Sequence, residues 1–283
     1  MKKQIFLVAA IAIAISNLGY GQQKPADSLK ALLKAHPQND TTKVKIMFDL
    51  AREVRRNDTT LMDSLAQQIL KLSEQLNYPT GKGMGLTIKA VGYSDVNKVG
   101  EAEKLFEEAR GILEPVQYKP ALIYLYRMYA SQQMDEGLYP AALENFLRGL
   151  KLAEETNDIR QAADINRTIG YFYNVAGEYE KAIPYQNEAL RQAESIGYKQ
   201  GISGAYNAIG KTYKTQGKYP ESLDAYTKGL RIHEEMNDVT NVNVAHMNIA
   251  DVYERMGNYQ EAFAHMRPAL AYFKGRPANT YTP

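Results

Sequence analysis

Midway along the chain, apolar residues fall at Ile165, Ile169, Phe172 and Tyr173 and resume at Tyr179, Ala182, Ile183, Ala189 and Leu190. Steps of three and four put such side chains on one face of a helix, whereas a strand would need strict alternation. The pattern predicts two amphipathic helices joined by a short turn at Gly177. That turn recurs every 40 residues, at Asn57, Asn97, Gly137, Gly177, Gly217 and Gly257. The wording around it recurs as well, as in Gly137-Leu138-Tyr139-Pro140-Ala141-Ala142 and Gly217-Lys218-Tyr219-Pro220-Glu221-Ser222. A second set, Asn77, Asn157, Gly197 and Asn237, closes the other helix of each unit, with Gln117 the one member of a different type. Glycine and asparagine enter the left-handed backbone region with least strain, and a helix C-terminus needs such a residue. Pro140 and Pro220 open second helices, where a missing N–H costs nothing. A fixed period of this length predicts a stacked array of helical hairpins.

Small residues obey the same period. Ala90, Ala130, Gly170, Gly210 and Ala250 lie on the first helix of each unit (helix A). Ala102, Ala142, Ala182, Ser222 and Ala262, then Ala109, Gly149, Ala189, Gly229 and Ala269, lie on the second (helix B). Small side chains there let two backbones approach, and Tyr93, Tyr173, Tyr213 and Tyr253 are placed to fill space between neighbouring hairpins. This grammar resembles the tetratricopeptide repeat family, whose usual unit has about 34 residues. The six additional residues are expected to lengthen helix B by about 9 Å, as in the longer-unit branch of peptide-binding regulators and adaptors. The resemblance implies an all-α, right-handed α-solenoid of about six helix–turn–helix repeats. Expected units are about 40–78, 79–118, 119–158, 159–198, 199–238 and 239–274, the first of them degenerate, with Met62, Ala66 and Ile69 at its helix B positions.

Composition adds bounds. Apolar and charged fractions of 45% and 23% are those of a folded soluble protein. The 34 basic and 32 acidic residues are intermixed, without the basic stripe that nucleic acid would require. Lys2 and Lys3, an apolar run from Ile5 to Ile15, and the small residues Gly19 and Gly21 read as a secretory signal peptide over residues 1–21. Cleavage is expected before Gln22, with an uncleaved anchor as the alternative. The run is shorter than the roughly 20 apolar residues of a membrane span, and no span is expected in the mature chain. With no cysteine, lipidation at a lipobox and disulfides are both impossible. The periplasm or cell envelope is the expected location. Residues 22–39 read as a linker with a short helix near Ser28 to Ala35, and residues 275–283 as a tail.

No catalytic spacing emerges. Gly81-Lys82-Gly83-Met84-Gly85 lacks the spacing of a phosphate-binding loop and has no strand before it. Gly201-Ile202-Ser203-Gly204 fails as a nucleophile elbow because Ala205 follows. His233-Glu234-Glu235 has no second histidine at zinc-protease spacing. His246 and His265 fall on helices A and B of one unit and can meet, but no third ligand recurs beside them. The reading is therefore no metal, no cofactor and no enzyme.

The resemblance also implies where a ligand would lie, on the exposed faces of the A helices along a concave groove. Carried onto this chain, that face comprises Tyr124, Arg127, Ser131 and Met134, then Asp164, Arg167, Tyr171 and Asn174. Asn207, Lys211 and Lys214 follow, then Met247, Asp251 and Glu254. Arginine and asparagine suit a peptide backbone or a carboxylate through forked or paired hydrogen bonds. The bland alternative is a row of ordinary solvated faces. The lysine–asparagine arrangement of the chaperone-tail carboxylate clamp is not reproduced. Expected function is an exported, non-catalytic scaffold for a protein or peptide. The alternative is the extracytoplasmic sensor region of a histidine-kinase type of signalling protein, which such exported long-unit repeats also resemble. Repeat six carries Pro268 inside its last helix. Its outer face is expected either to be covered, by a second copy or another partner, or to fray.

Overall fold

The computed structural model describes residues 25–55 and 57–274, and every regular element among them is an α-helix. In chain order these are α1 (Pro25–Ala35), α2 (Thr41–Val54), α3 (Thr59–Gln75), α4 (Pro79–Asp95) and α5 (Val99–Val116). They continue with α6 (Lys119–Asp135), α7 (Tyr139–Glu155), α8 (Ile159–Val175), α9 (Tyr179–Ser195), α10 (Lys199–Thr215), α11 (Tyr219–Glu235), α12 (Val239–Arg255) and α13 (Tyr259–Phe273). The signal-peptide and tail readings, on residues 1–21 and 275–283, lie outside the described residues, as do residues 22–24. The lead-in helix starts at Pro25, three residues before the expected Ser28. No described helix is long and apolar enough to cross a membrane.

The turns explain the period. Asn77, Asn97, Gly137, Asn157, Gly177, Gly197, Gly217, Asn237 and Gly257 all have positive φ. At Gly177 the N–H bonds back to the Asn174 carbonyl at 3.1 Å, and the Glu178 N–H reaches the Tyr173 carbonyl at 2.8 Å. These paired backward bonds satisfy carbonyls that the helix end would otherwise leave open. Gln117 adopts φ +51° all the same. It departs from the series in residue type and not in backbone, at about 1–2 kcal/mol for a side chain in that region. Helix N-termini are capped more variably. Asp40, Asp58, Asp158 and Asp238 accept the N–H three residues ahead, while Pro79, Pro120, Pro140 and Pro220 stand in the first turns of α4, α6, α7 and α11.

The described residues form two compact units, divided between Val116 and Gln117. In the first, α1 packs on α2, α2 on α3 and α4, and α4 on α5. Its core includes Met47, Phe48, Leu50, Met62, Leu65, Ile69, Met84, Ile88 and Phe106. The glycine run of α4 is packing. A Cβ on Gly83 would stand 2.6 Å from Leu113 of α5, and one on Gly85 2.8 Å from Leu70 of α3.

In the second unit α6/α7, α8/α9, α10/α11 and α12/α13 pair as hairpins, and α8 also touches α6 and α10. Helices α8 to α11 are each 17 residues long. The two helices of each of these two hairpins are thus equal, and the additional residues there are not placed in helix B alone, contrary to expectation. The small positions are buried between helices, as at Ala130, Ala142, Ala182, Ser222 and Ala189. Ala262, by contrast, is only half-buried. Tyr173 packs on a core of Ile123, Phe146, Ile165 and Ile169 and also stacks on Tyr185 of its own hairpin, centroids 5.6 Å apart. The large tyrosines therefore fill space within hairpins as well as between them.

Candidate functional site

Successive A helices of the second unit are cross-linked residue by residue, and most of the expected groove residues are those links. Arg127 of α6 stands 3.7 Å from the Asp164 carboxylate of α8. The Arg127 guanidinium also lies over the Tyr124 ring, 5.6 Å from its centroid. Lys214 of α10 donates to Asp251 of α12, which also accepts from Arg255. Burial opposes ionisation of Asp251, but those two donors win and hold its carboxyl below the usual carboxylate value. These four charged side chains are committed to one another.

Three of the expected residues face elsewhere. Tyr124 is only 2% exposed, so it does not offer its ring to a ligand. Asn174 is buried and donates through Nδ2 to the Thr212 hydroxyl at 2.9 Å. Asn207 turns toward α11, where its Nδ2 lies 3.5 Å from His233 Nε2 and its buried Oδ1 has no partner. The physical reason is angular. Residues three and four apart share a helix face, but a stripe four residues deep wraps around the cylinder until its edges meet neighbouring helices.

What stays open is a strip formed by Arg167, Tyr171 and Lys211. Arg167 and Tyr171 lie one turn apart on α8. The Arg167 stem runs across Gly204 of α10, whose missing side chain leaves it room: a Cβ there would be 3.3 Å from Arg167 Cδ. The Lys211 ammonium of α10 sits over the Tyr171 ring, 4.6 Å from its centroid. Crowding around that ammonium, and Lys214 beside it, lower its pKa from the usual lysine value. Neither Arg167 nor Lys211 meets a carboxylate among the described residues. Met247 is half-buried and Glu254 exposed on α12.

Sequence reading missed the polar node beneath the strip. The Thr212 hydroxyl accepts from Asn174 Nδ2 of α8 and from Gln186 Nε2 of α9 at 2.8 Å, and donates to the Ala208 carbonyl at 3.1 Å. Its single hydrogen and both lone pairs are thereby used, and three helices are tied at one atom. His233, 5% exposed on α11, is a second buried polar group. Burial lowers its pKa, and Asp238, 3.9 Å away, opposes that shift. No group of three or more metal-ligating side chains occurs among the described residues.

Helical hairpins stacked in series, with a cross-linked helix A face, define an all-α solenoid of the repeat-scaffold class. Residues 161–235 and 247–274 match models of the tetratricopeptide repeat, and those segments are repeats of that family. Among solved structures it is similar to BtubC (BKLC) from P. vanneervenii, with 18% identity and a TM-score of 0.64, over 85% of this chain and 94% of that one. It is similar to a Rap protein complexed with competence and sporulation factor, with 16% identity and a TM-score of 0.63, over 91% and 80% of the two chains. NprR in complex with its cognate peptide NprX matches with 15% identity and a TM-score of 0.63, over 97% and 79%. No curated protein sequence matches the chain.

Proposed function

We propose that this protein is an exported, non-catalytic scaffold that holds an acidic segment of a protein or peptide partner against the A helices of its second unit. The strip Arg167–Tyr171–Lys211 would be the contact surface. The observation that carries the reading is charge bookkeeping on one face. Arg127 and Lys214 are already paired with Asp164 and Asp251, whereas the Arg167 and Lys211 cations have no carboxylate partner among the described residues and the Lys211 ammonium lies over an aromatic ring. A guanidinium takes a carboxylate by a fork of two N–H donors, and an ammonium beside it adds a point charge. Both stems lie on helices whose geometry is already fixed, so little order has to be created on the protein side upon binding. Two structural neighbours, by their names, hold a peptide or a factor, which supports the same use of this fold here.

A panel of synthetic peptides, acidic against basic and free against amidated at the C-terminus, tests the reading by fluorescence anisotropy. Acidic peptides should bind. Arg167→Glu/Lys211→Glu should abolish that binding with helicity unchanged. The control pair Lys181→Glu/Arg191→Glu, on cations already bridged to Glu178 and Glu188, should change it little. Equal losses from both pairs would reduce the effect to general charge attraction and remove the case for the strip. Lys214 is left alone, because reversing it would set a carboxylate against Asp251. Export rests on the segment from Lys2 to Gly21, and intact mass of the protein from the cell envelope should place the mature N-terminus near Gln22. Retention of residues 1–21 would make that segment an anchor.

A further inference from the structure

The last hairpin holds a pair of side chains that the binding strip does not use. His246 on α12 and His265 on α13 bring their Nδ1 atoms to 2.9 Å, with ring centroids 5.1 Å apart and planes inclined by 47°. The Tyr253 ring stacks on His265, centroids 5.7 Å apart, and fixes that imidazole from one side. Both histidines are half-buried. The same two positions in the preceding hairpins carry Tyr126 and Asn145, Asn166 and Tyr185, and Tyr206 and Ala225. The imidazole pair thus belongs to this hairpin alone and is not a requirement of stacking the helices.

We propose that His246 and His265 form a binding site for one imidazole-preferring transition-metal ion, with Cu2+ the best fit and Ni2+ and Zn2+ weaker members of the class. Metal–imidazole bonds are about 2.0 Å, so two nitrogens at neighbouring corners of a square plane lie about 2.8 Å apart, and at two corners of a tetrahedron about 3.3 Å. The observed 2.9 Å separation is close to the square-planar value. Two nitrogens from different helices therefore already have the spacing of adjacent ligands, and each ring need only turn so that its Nδ1 lone pair points at the ion and not at the other nitrogen. Without metal, the neutral pair shares one N–H···N bond in which the tautomer decides which ring donates. On binding, the hydrogen between the two Nδ1 atoms passes through solvent to Nε2 of its own ring. Both imidazoles remain neutral, each donates a lone pair from Nδ1, and no net proton is released from the neutral pair. Among the described residues no third acidic, histidine or cysteine ligand joins them, so water or a partner's group completes the coordination. An ion held this way would bridge α12 and α13 and stabilise the terminal hairpin by mass action.

The full chain, stripped with EDTA and dialysed, is titrated with CuCl2 and followed by calorimetry, X-band electron paramagnetic resonance and thermal melting. Expected are one bound Cu2+ with superhyperfine splitting from two nitrogens and a rise in melting temperature. His246→Gln and His265→Gln, which keep an amide in place of the ring hydrogen bond, should each remove the two-nitrogen signal while circular dichroism stays native. His36→Gln should leave it intact. A spectrum that survives His246→Gln/His265→Gln, or a wild-type protein that binds no copper, would overturn the assignment.

Discussion

At the scale of single residues, polar side chains inside the stack decide more than the charges on its surface. Thr212 serves Asn174 and Gln186 at once, across sequence separations of 38 and 26 residues. Thr212→Val keeps the shape and deletes the acceptor for two buried amides. Leaving a buried donor unpaired costs about 1–3 kcal/mol, and each kcal/mol moves the melting point of a domain this size by about 2–4 °C. The variant should therefore melt several degrees lower with unchanged helicity. An unchanged melt would mean that the two amides find other partners. This node was not legible in the sequence, since Thr, Asn and Gln in a helix read as solvated positions until the helices that carry them are placed. Tyr124, Asn174 and Asn207 were misread for the same reason in reverse. Periodicity gave their approximate face but not the neighbour waiting at its edge. Arg167, Tyr171 and Lys211 sit at the centre of the stripe, and none of them is buried.

At the scale of elements, the helices themselves were plain from apolar spacing and from the turn residues, because both follow from local sterics. The contact between paired helices was legible through small residues, and Gly170 is the sharpest instance. A Cβ there would lie 2.5 Å from Gln186 Cγ and 3.1 Å from the Ala182 carbonyl oxygen. Gln186 can swing, but the Ala182 backbone cannot, so Gly170→Leu must push α8 from α9 and pull Gln186 off Thr212. Overpacking of this kind typically costs about 1–3 kcal/mol, and loss of the node adds to it. Chemical denaturation should report a clear drop in midpoint. Gly111→Ala in α5 is the counterpart, as its added methyl meets nothing within 4 Å. It should stabilise by about 0.5–1 kcal/mol through helix propensity alone. If both variants destabilise alike, crowding at Gly170 is not the cause.

At the scale of the whole molecule, stability of a stack is close to a sum over units and their neighbours, so position in the array sets how firmly each unit is held. Within the second unit, α11 buries Ser222, Ala225, Tyr226, Gly229, Leu230 and His233, whereas α13 buries only Ala269. Leu150 and Leu230 are each 8% exposed at the helix B position where Leu270 is 58% exposed, and Phe263 is exposed to 65%. The difference is the missing neighbour on that side among the described residues, not the residue type. Pro268 adds to it by removing one N–H from the middle of α13, at about 3 kcal/mol in an ordinary helix interior. Amide hydrogen exchange of the EDTA-treated monomer should therefore be fastest along Met266 to Phe273, slower in α12, and slowest in α8 to α10. The chelator matters, because an ion bridging His246 and His265 would slow exchange at this end in particular. Protection along Met266 to Phe273 equal to that of α8 in the chelated monomer would mean the last hairpin is self-sufficient. Both the expected fraying and the need for any covering partner would then fall.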